Sequence, residues 1–401
     1  MFDRPSRRAR QPLRRRAAVL WIALLAALLV GCGTLSPASQ APTAAPTPIG
    51  TVSLTPPPGS LTPTAAIEFL VASMAAHVQV GDKAGYLELI DLSDPAFGLE
   101  HSRLADEWAT LHPVPDYQLA VSNVSIERGE ATGDLTASWT NFQSEPRTAT
   151  WRGTFTNGAV GWRYAGEDWI TTEVPHFTIK YAPDLEEQLE NVTQDLPAIY
   201  DHVVDTLDYT PAGTLQIKLY ADAAALGANT LLSLPDINGW NEPGEALKLR
   251  YNAEDPYLTP TIAHEMTHFT NFDRAGTKRT KMPWWLDEGI AVYVSRKFAL
   301  IRQDNDTATE AVAAWNANGE LVDWDRMAVY ETTPQELWQF VYPQGYVMVR
   351  YVSTTFGRDR RNQWLARMAT EMDIDQATPA VLGMSFDDLD KAFREWLTQV
   401  H

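Results

Sequence analysis

The sequence predicts an α+β protein made of two folded units, and three observations carry this. Over residues 63–171 the hydrophobic period changes from helical to alternating; over 172–401 strands come first and helices dominate from residue 258; and the stretch ahead of both is uncharged and rich in Pro, Thr, Ser and Ala. A chain of 401 residues is also longer than one ordinary domain.

Residues 1–31 read as a targeting segment. "RRARQPLRRR" (7–16) is a basic stretch, and "AAVLWIALLAALLV" (17–30) is an apolar run too short to span a bilayer comfortably. Leu29 to Cys32, "LVGC", resembles the lipobox of bacterial lipoproteins, which implies that Cys32 is lipidated and becomes the first residue of the mature chain. The expected location is then the bacterial cell envelope, extracytoplasmic and anchored to the membrane by lipid. Cys32 is the single cysteine, so no disulfide forms within the chain. Residues 32–62 hold no charged side chain and too little apolar surface to offset their ordering entropy, and so read as a disordered tether.

The first folded unit (63–171) starts at Thr62–Pro63, a helix-start pair, with Ile67, Leu70, Val71, Met74 and Val78 at helical spacing. Further helical stretches surround 86–92 and 102–111. Four β-rich runs follow at 117–127, 131–141, 147–157 and 160–169, separated by short turn signals, and their tryptophans read as core. Helices followed by a four-strand meander resemble the SnoaL-like cone fold in order of elements. That fold can hold a small ligand, but no convergent polar set stands out here, and the expectation is a packing or spacer unit.

The second unit (172–401) begins with strands at 176–183, 215–221 and 245–252, with a helix at 185–207 between the first two. Thr259 and Pro260 read as the N-cap and first residue of the helix that carries "HEMTHF" (264–269). His264 and His268, four apart, share one helix face and can reach one ion. Zn²⁺ takes His nitrogens and in catalytic sites keeps a position open for water. Glu265 is placed to deprotonate that water rather than to bind the metal. After His268 come nineteen residues and then Glu288, within "PWWLDEGIAVYV" (283–294), where Pro283 marks a second helix.

This layout resembles the gluzincin zinc metallopeptidases of the peptidase MA-like, thermolysin and aminopeptidase branch. The resemblance implies one Zn²⁺ held by His264, His268 and Glu288, and peptide-bond hydrolysis with Glu265 as base. Thermolysin-like members carry an Asp four residues after the glutamate ligand to orient a zinc histidine. Here that position is Val292, which leaves Asn271 or Asp287 as candidates. "YPQGYVMVRY" (342–351) is similar to the aminopeptidase Y-E-K-G segment, which implies that Tyr342 stabilises the oxyanion, with Tyr346 one turn later as its rival. Pro343 predicts a helix break at Tyr342. Glu242, in "GWNEPG", stands where the branch binds a substrate amine; if it does not, "ALKLRY" (246–251) reads as an edge strand for an extended peptide.

The first 31 residues hold seven Arg and one Asp, so the chain beyond them carries 25 basic against 50 acidic residues. Such a balance repels nucleic acid and anionic surfaces. The expected partners are a peptide or protein substrate and the membrane, with no nucleic acid. Two other classes fit the same motifs: a zinc-binding lipoprotein without turnover, and a zinc hydrolase of non-peptide amides or esters.

Overall fold

The computed structural model describes residues 61–400 apart from 142, 234–235, 252–254, 256, 277–279 and 300–306. The targeting segment, Cys32 and nearly all of the tether therefore lie outside the described residues.

Helix α1 (Pro63–Val80) starts as the Thr62–Pro63 pair predicts. The Thr62 hydroxyl accepts from the Ala65 N–H, and Gly81, in the left-handed region at φ 72°, ends the helix. Its five predicted core residues are all buried. Helix α2 (Lys83–Glu88) is shorter than the 86–92 pattern suggests, because Ile90 leaves the helix to bridge Tyr164. Helix α3 (Pro95–Asp106) passes into a π-turn at Glu107–Leu111. Strands β1 (Gln118–Glu127), β2 (Glu130–Thr140), β3 (Pro146–Gly158) and β4 (Gly161–Glu167) form an antiparallel meander in chain order. One face of this sheet closes on α1–α3 around Ile67, Ile90, Trp108, Leu135 and Phe155. Of the meander tryptophans only Trp139 is fully core. Trp151 and Trp162 are partly buried at its margin, and Trp169 packs in a separate cluster with Tyr220.

The second sheet has the order β5-β6-β7-β9-β8. Strands β6 (Phe177–Tyr181), β7 (Leu215–Tyr220) and β9 (Leu247–Arg250) are parallel, with β5 (Ile170–Val174) and β8 (Gly239–Trp240) antiparallel at the two edges. "ALKLRY" is therefore not an edge, since Gly239 and Trp240 pair on β9 and take the outer place. Alternation along β7 and β9 sends Leu215, Ile217, Leu219, Leu247 and Leu249 into the main core under helix α4 (Leu189–Leu207). The opposite face carries Lys218 and Lys248, both buried. Glu100 of α3 meets the Lys218 ammonium at 2.5 Å, and Glu245 meets Lys248 at 2.9 Å and Arg103 of α3 at 2.7 Å. The first unit thus covers the second face of this sheet through paired charges.

Helix α5 (Ala223–Ala228) follows β7, and α6 (Leu258–Ala275) carries the histidine motif. Helix α6 begins just before the predicted cap. Asp255 forms the turn ahead of it, accepting the Tyr257 N–H, and the Thr259 hydroxyl donates to Asp195 on α4 instead of capping. Beyond it lie α7 (Trp284–Ser295), α8 (Thr307–Asn318), α9 (Trp338–Phe356), α10 (Arg358–Thr370), α11 (Ile374–Leu382) and α12 (Phe386–Leu397). Pro343 does not break α9, which starts five residues before it. Burial of Val341, Pro343 and Val347 against the core outweighs the local bias of the proline. Among the described residues no helix is long and apolar enough to cross a membrane.

Candidate metal centre

The pitch of α6 sets His264 and His268 on one side, and α7 brings Glu288 against them. His264 Nε2 lies 3.1 Å from His268 Nε2 and 3.1 Å from Glu288 Oε2, and His268 Nε2 lies 3.5 Å from the same carboxylate oxygen. A tetrahedral zinc with ligands at roughly 2.0–2.1 Å would space its donor atoms roughly 3.3 Å apart, so this trio fits the ion in donor type and in separation. No other group of three or more His, Cys, Asp or Glu side chains among the described residues converges in this way.

Two of the three donors are aimed by a neighbour. His268 Nδ1 lies 3.0 Å from Asp287 Oδ2; an N–H donated there leaves the Nε2 lone pair facing His264 and Glu288. Asn271 Nδ2 donates to the other Asp287 oxygen at 2.8 Å, so both candidate orienting residues act in series. Val292 instead packs against the core. The Trp284 indole N–H donates to Glu288 Oε1 at 2.8 Å and turns Oε2 towards the histidines. Nothing in the residue pattern marks Trp284 for this; the only signal is its place one turn before Glu288.

Burial and charge are arranged with opposite effects. Burial pushes the Glu265 carboxyl above the usual range, although His264 and His268 oppose it. Burial would lower His268, but Asp287 and Glu288 outweigh it and hold the imidazole well above its ordinary value. For Glu288 burial is likewise overcome, by His268 and His264, and the carboxyl is lowered. The carboxylate of Glu265 lies against Gly239 of the edge strand, where an added Cβ would stand 2.7 Å from Glu265 Oε1. The missing side chain on β8 is what makes room for that carboxylate.

Tyr342 is half-buried on α9, its ring centroid 6.4 Å from that of His264 and 6.3 Å from that of Trp284. Tyr346 is buried and faces the other way, against Tyr293 and under the Arg296 guanidinium at 4.5 Å. Two glycines set this arrangement. A Cβ on Gly345 would stand 2.0 Å from the Trp285 carbonyl oxygen, and one on Gly289 would stand 2.4 Å from the Gly345 carbonyl carbon. Backbone crosses backbone there, immediately after Glu288 on α7 and three residues after Tyr342 on α9. Glu242 is not part of this group: its carboxylate pairs with Arg103 at 3.4 Å, where the two units meet.

No curated protein matches the chain. Residues 253–399, the stretch that holds both histidines, Glu265, Glu288 and Tyr342, match the family model Peptidase_MA_2, described as the Peptidase MA superfamily.

Proposed function

We propose that the chain is a zinc metallopeptidase that hydrolyses peptide bonds on the outer side of a bacterial membrane. The observation that carries this reading is the convergence of His264, His268 and Glu288 beside the buried carboxyl of Glu265. His264, His268 and Glu288 would hold one Zn²⁺. Bound there, the ion supplies Lewis acidity, making a water more acidic and polarising the scissile carbonyl.

The other steps fall to the chain's own groups. Glu265 takes the proton of the attacking water and passes it to the leaving amine, and the burial that raises its proton affinity suits it to hold that proton between the two transfers. Tyr342, beside His264, donates its hydroxyl to the developing oxyanion. Asp287 and Trp284 keep His268 and Glu288 in place throughout. Recognition of a substrate amine by Glu242 would have to compete with Arg103 for the same carboxylate.

Turnover of a mixed quenched-peptide library, lost with a chelator and restored by Zn²⁺, tests the activity. Glu265→Gln should keep the zinc and lose about 10²–10⁴-fold in turnover. Zinc bound with no turnover by the unmodified protein would favour a binding role, and release from ester or non-peptide amide substrates alone would favour another hydrolase. The anchor rests on the "LVGC" resemblance and the uncharged tether. Cys32→Ser should leave the detergent phase, since stable anchoring needs the acyl chains; retention there would refute lipidation at Cys32.

A further inference from the structure

Beside the metal centre runs an unbroken series of aromatic rings. Trp240 of the edge strand lies 6.3 Å from Tyr330, centroid to centroid; Tyr330 lies 5.1 Å from Trp284 and 5.2 Å from Trp338; and Trp284 reaches Tyr342 at 6.3 Å. All five are only partly buried. Val329, next to Tyr330, is among the few large hydrophobic side chains that are well exposed, at 48%. Two members of the series adjoin the groups of the site. Trp240 follows Gly239, which touches Glu265, and Trp284 holds Glu288 through its indole N–H.

Partly buried rings of this number beside a cluster of polar groups form an apolar surface that a ligand can cover further. T-shaped contacts between neighbours hold the rings against one another as one apolar face. One further feature bears on the occupant. Asn241, directly after Trp240, has both side-chain amide atoms out of water and without a hydrogen-bond partner. An amide complements the N–H and C=O of a peptide group. β8 is an edge strand of a kind that pairs with extended chain.

The geometry points to a specificity site: we propose that the Trp240–Tyr330–Trp284–Trp338 face receives an aromatic side chain of the substrate at a residue flanking the scissile bond. This rests on the peptidase reading above and adds the substrate class. The rings stand within reach of the centre, and a planar apolar side chain can pack against them edge to face as they pack against each other.

The test compares kcat/KM for matched quenched peptides carrying Phe or Ala at each position around the cleavage site. At one flanking position the unmodified protein should prefer Phe by about 10–100-fold. Tyr330→Ala, a ring on neither helix that carries the metal-binding residues, should reduce that ratio to within a few-fold of unity, and Tyr330→Phe should keep it. A ratio near one in the unmodified protein, or one unchanged in Tyr330→Ala, overturns the proposal while leaving the peptidase reading intact. A second arm does not need turnover: calorimetric titration of zinc-loaded Glu265→Gln with N-acetyl-phenylalanine amide, N-acetyl-alanine amide and an N-acetylglucosamine oligomer. Preference for the aromatic amide, lost in the double variant with Tyr330→Ala, supports the site even if no peptide is cleaved, in which case the hydrolytic reading alone fails. Equal binding of the two amides, or preference for the sugar, overturns it.

Discussion

Gly345→Ala is the sharpest probe of how the site is held, because a single methyl group acts at the crossing of α7 and α9. The added Cβ would stand 2.0 Å from the Trp285 carbonyl oxygen, whereas real Cβ contacts essentially never fall below 3.0 Å. Backbone lies on the other side, so no side chain can swing away, and the helices must part by about 1 Å. Overpacking of this kind costs about 3 kcal/mol, since the separation also loosens Val341, Val347 and Ile290 in the shared core. For a folded unit of this size the melting temperature should fall by roughly 6–12 °C. Glu288 sits next to the crossing, and zinc sites tolerate donor shifts of only about 0.2 Å, so metal affinity should fall as well. Thermal melting by circular dichroism, with a competition assay for zinc, measures both. Gly227→Ala is the control, because an added Cβ there meets nothing within 4 Å and should be neutral or slightly stabilising. A Gly345→Ala protein that melts with the unmodified protein and binds zinc as tightly would refute the close-crossing argument.

Asp287→Ala should weaken zinc binding by about 10–100-fold while the fold persists, as it removes the acceptor that fixes the His268 ring; unchanged affinity in a chelator competition would discount that contact. Tyr342→Phe should lower kcat by about 10²–10³ with little change in KM, whereas Tyr346→Phe, set in the core under Arg296, should leave kcat nearly intact. The reverse result would shift the oxyanion donor by one turn. The ion pairs between the two units predict a pH dependence. Burial would raise the Glu100 carboxyl, but Lys248 and Lys218 outweigh it and hold it below 4.5, so its contribution is present above that value and is lost as pH falls through the folded pKa. Burial would lower Lys218, but Glu167 and Glu100 outweigh it and raise the group above 10.5, so its contribution is full below that value and is lost as pH rises past it. Urea midpoints should therefore fall on the acid side, and Glu100→Gln should cost about 3–5 kcal/mol at pH 7 by leaving buried lysine charge unpaired. An unchanged midpoint at pH 7 would count against that pairing.

Much of this molecule is written locally. His264 and His268 share a face because any helix through "HEMTHF" puts them there, and the apolar spacing of α1, the meander strands and the Pro283 start of α7 are equally short-range signals. The α+β class follows from the same periodicities. What lay beyond the sequence is whatever depends on two distant segments meeting. A two-residue strand is too short to show a period, so the edge position of β8 emerges only when it pairs with β9. Pro343 biases its own neighbourhood against a helix, and only the packing of α9 on α7 overrides it. The lysines on β7 and β9 alternate like solvent-facing residues, yet Lys218 is paired with Glu100 of α3, more than a hundred residues away in sequence, and Lys248 is buried with Glu245. Asp287 likewise gains its role only through the contact between α6 and α7, which sets its carboxylate against His268. Secondary structure is decided within a few residues by backbone geometry and side-chain period; which donor meets which acceptor is decided by how the finished elements pack.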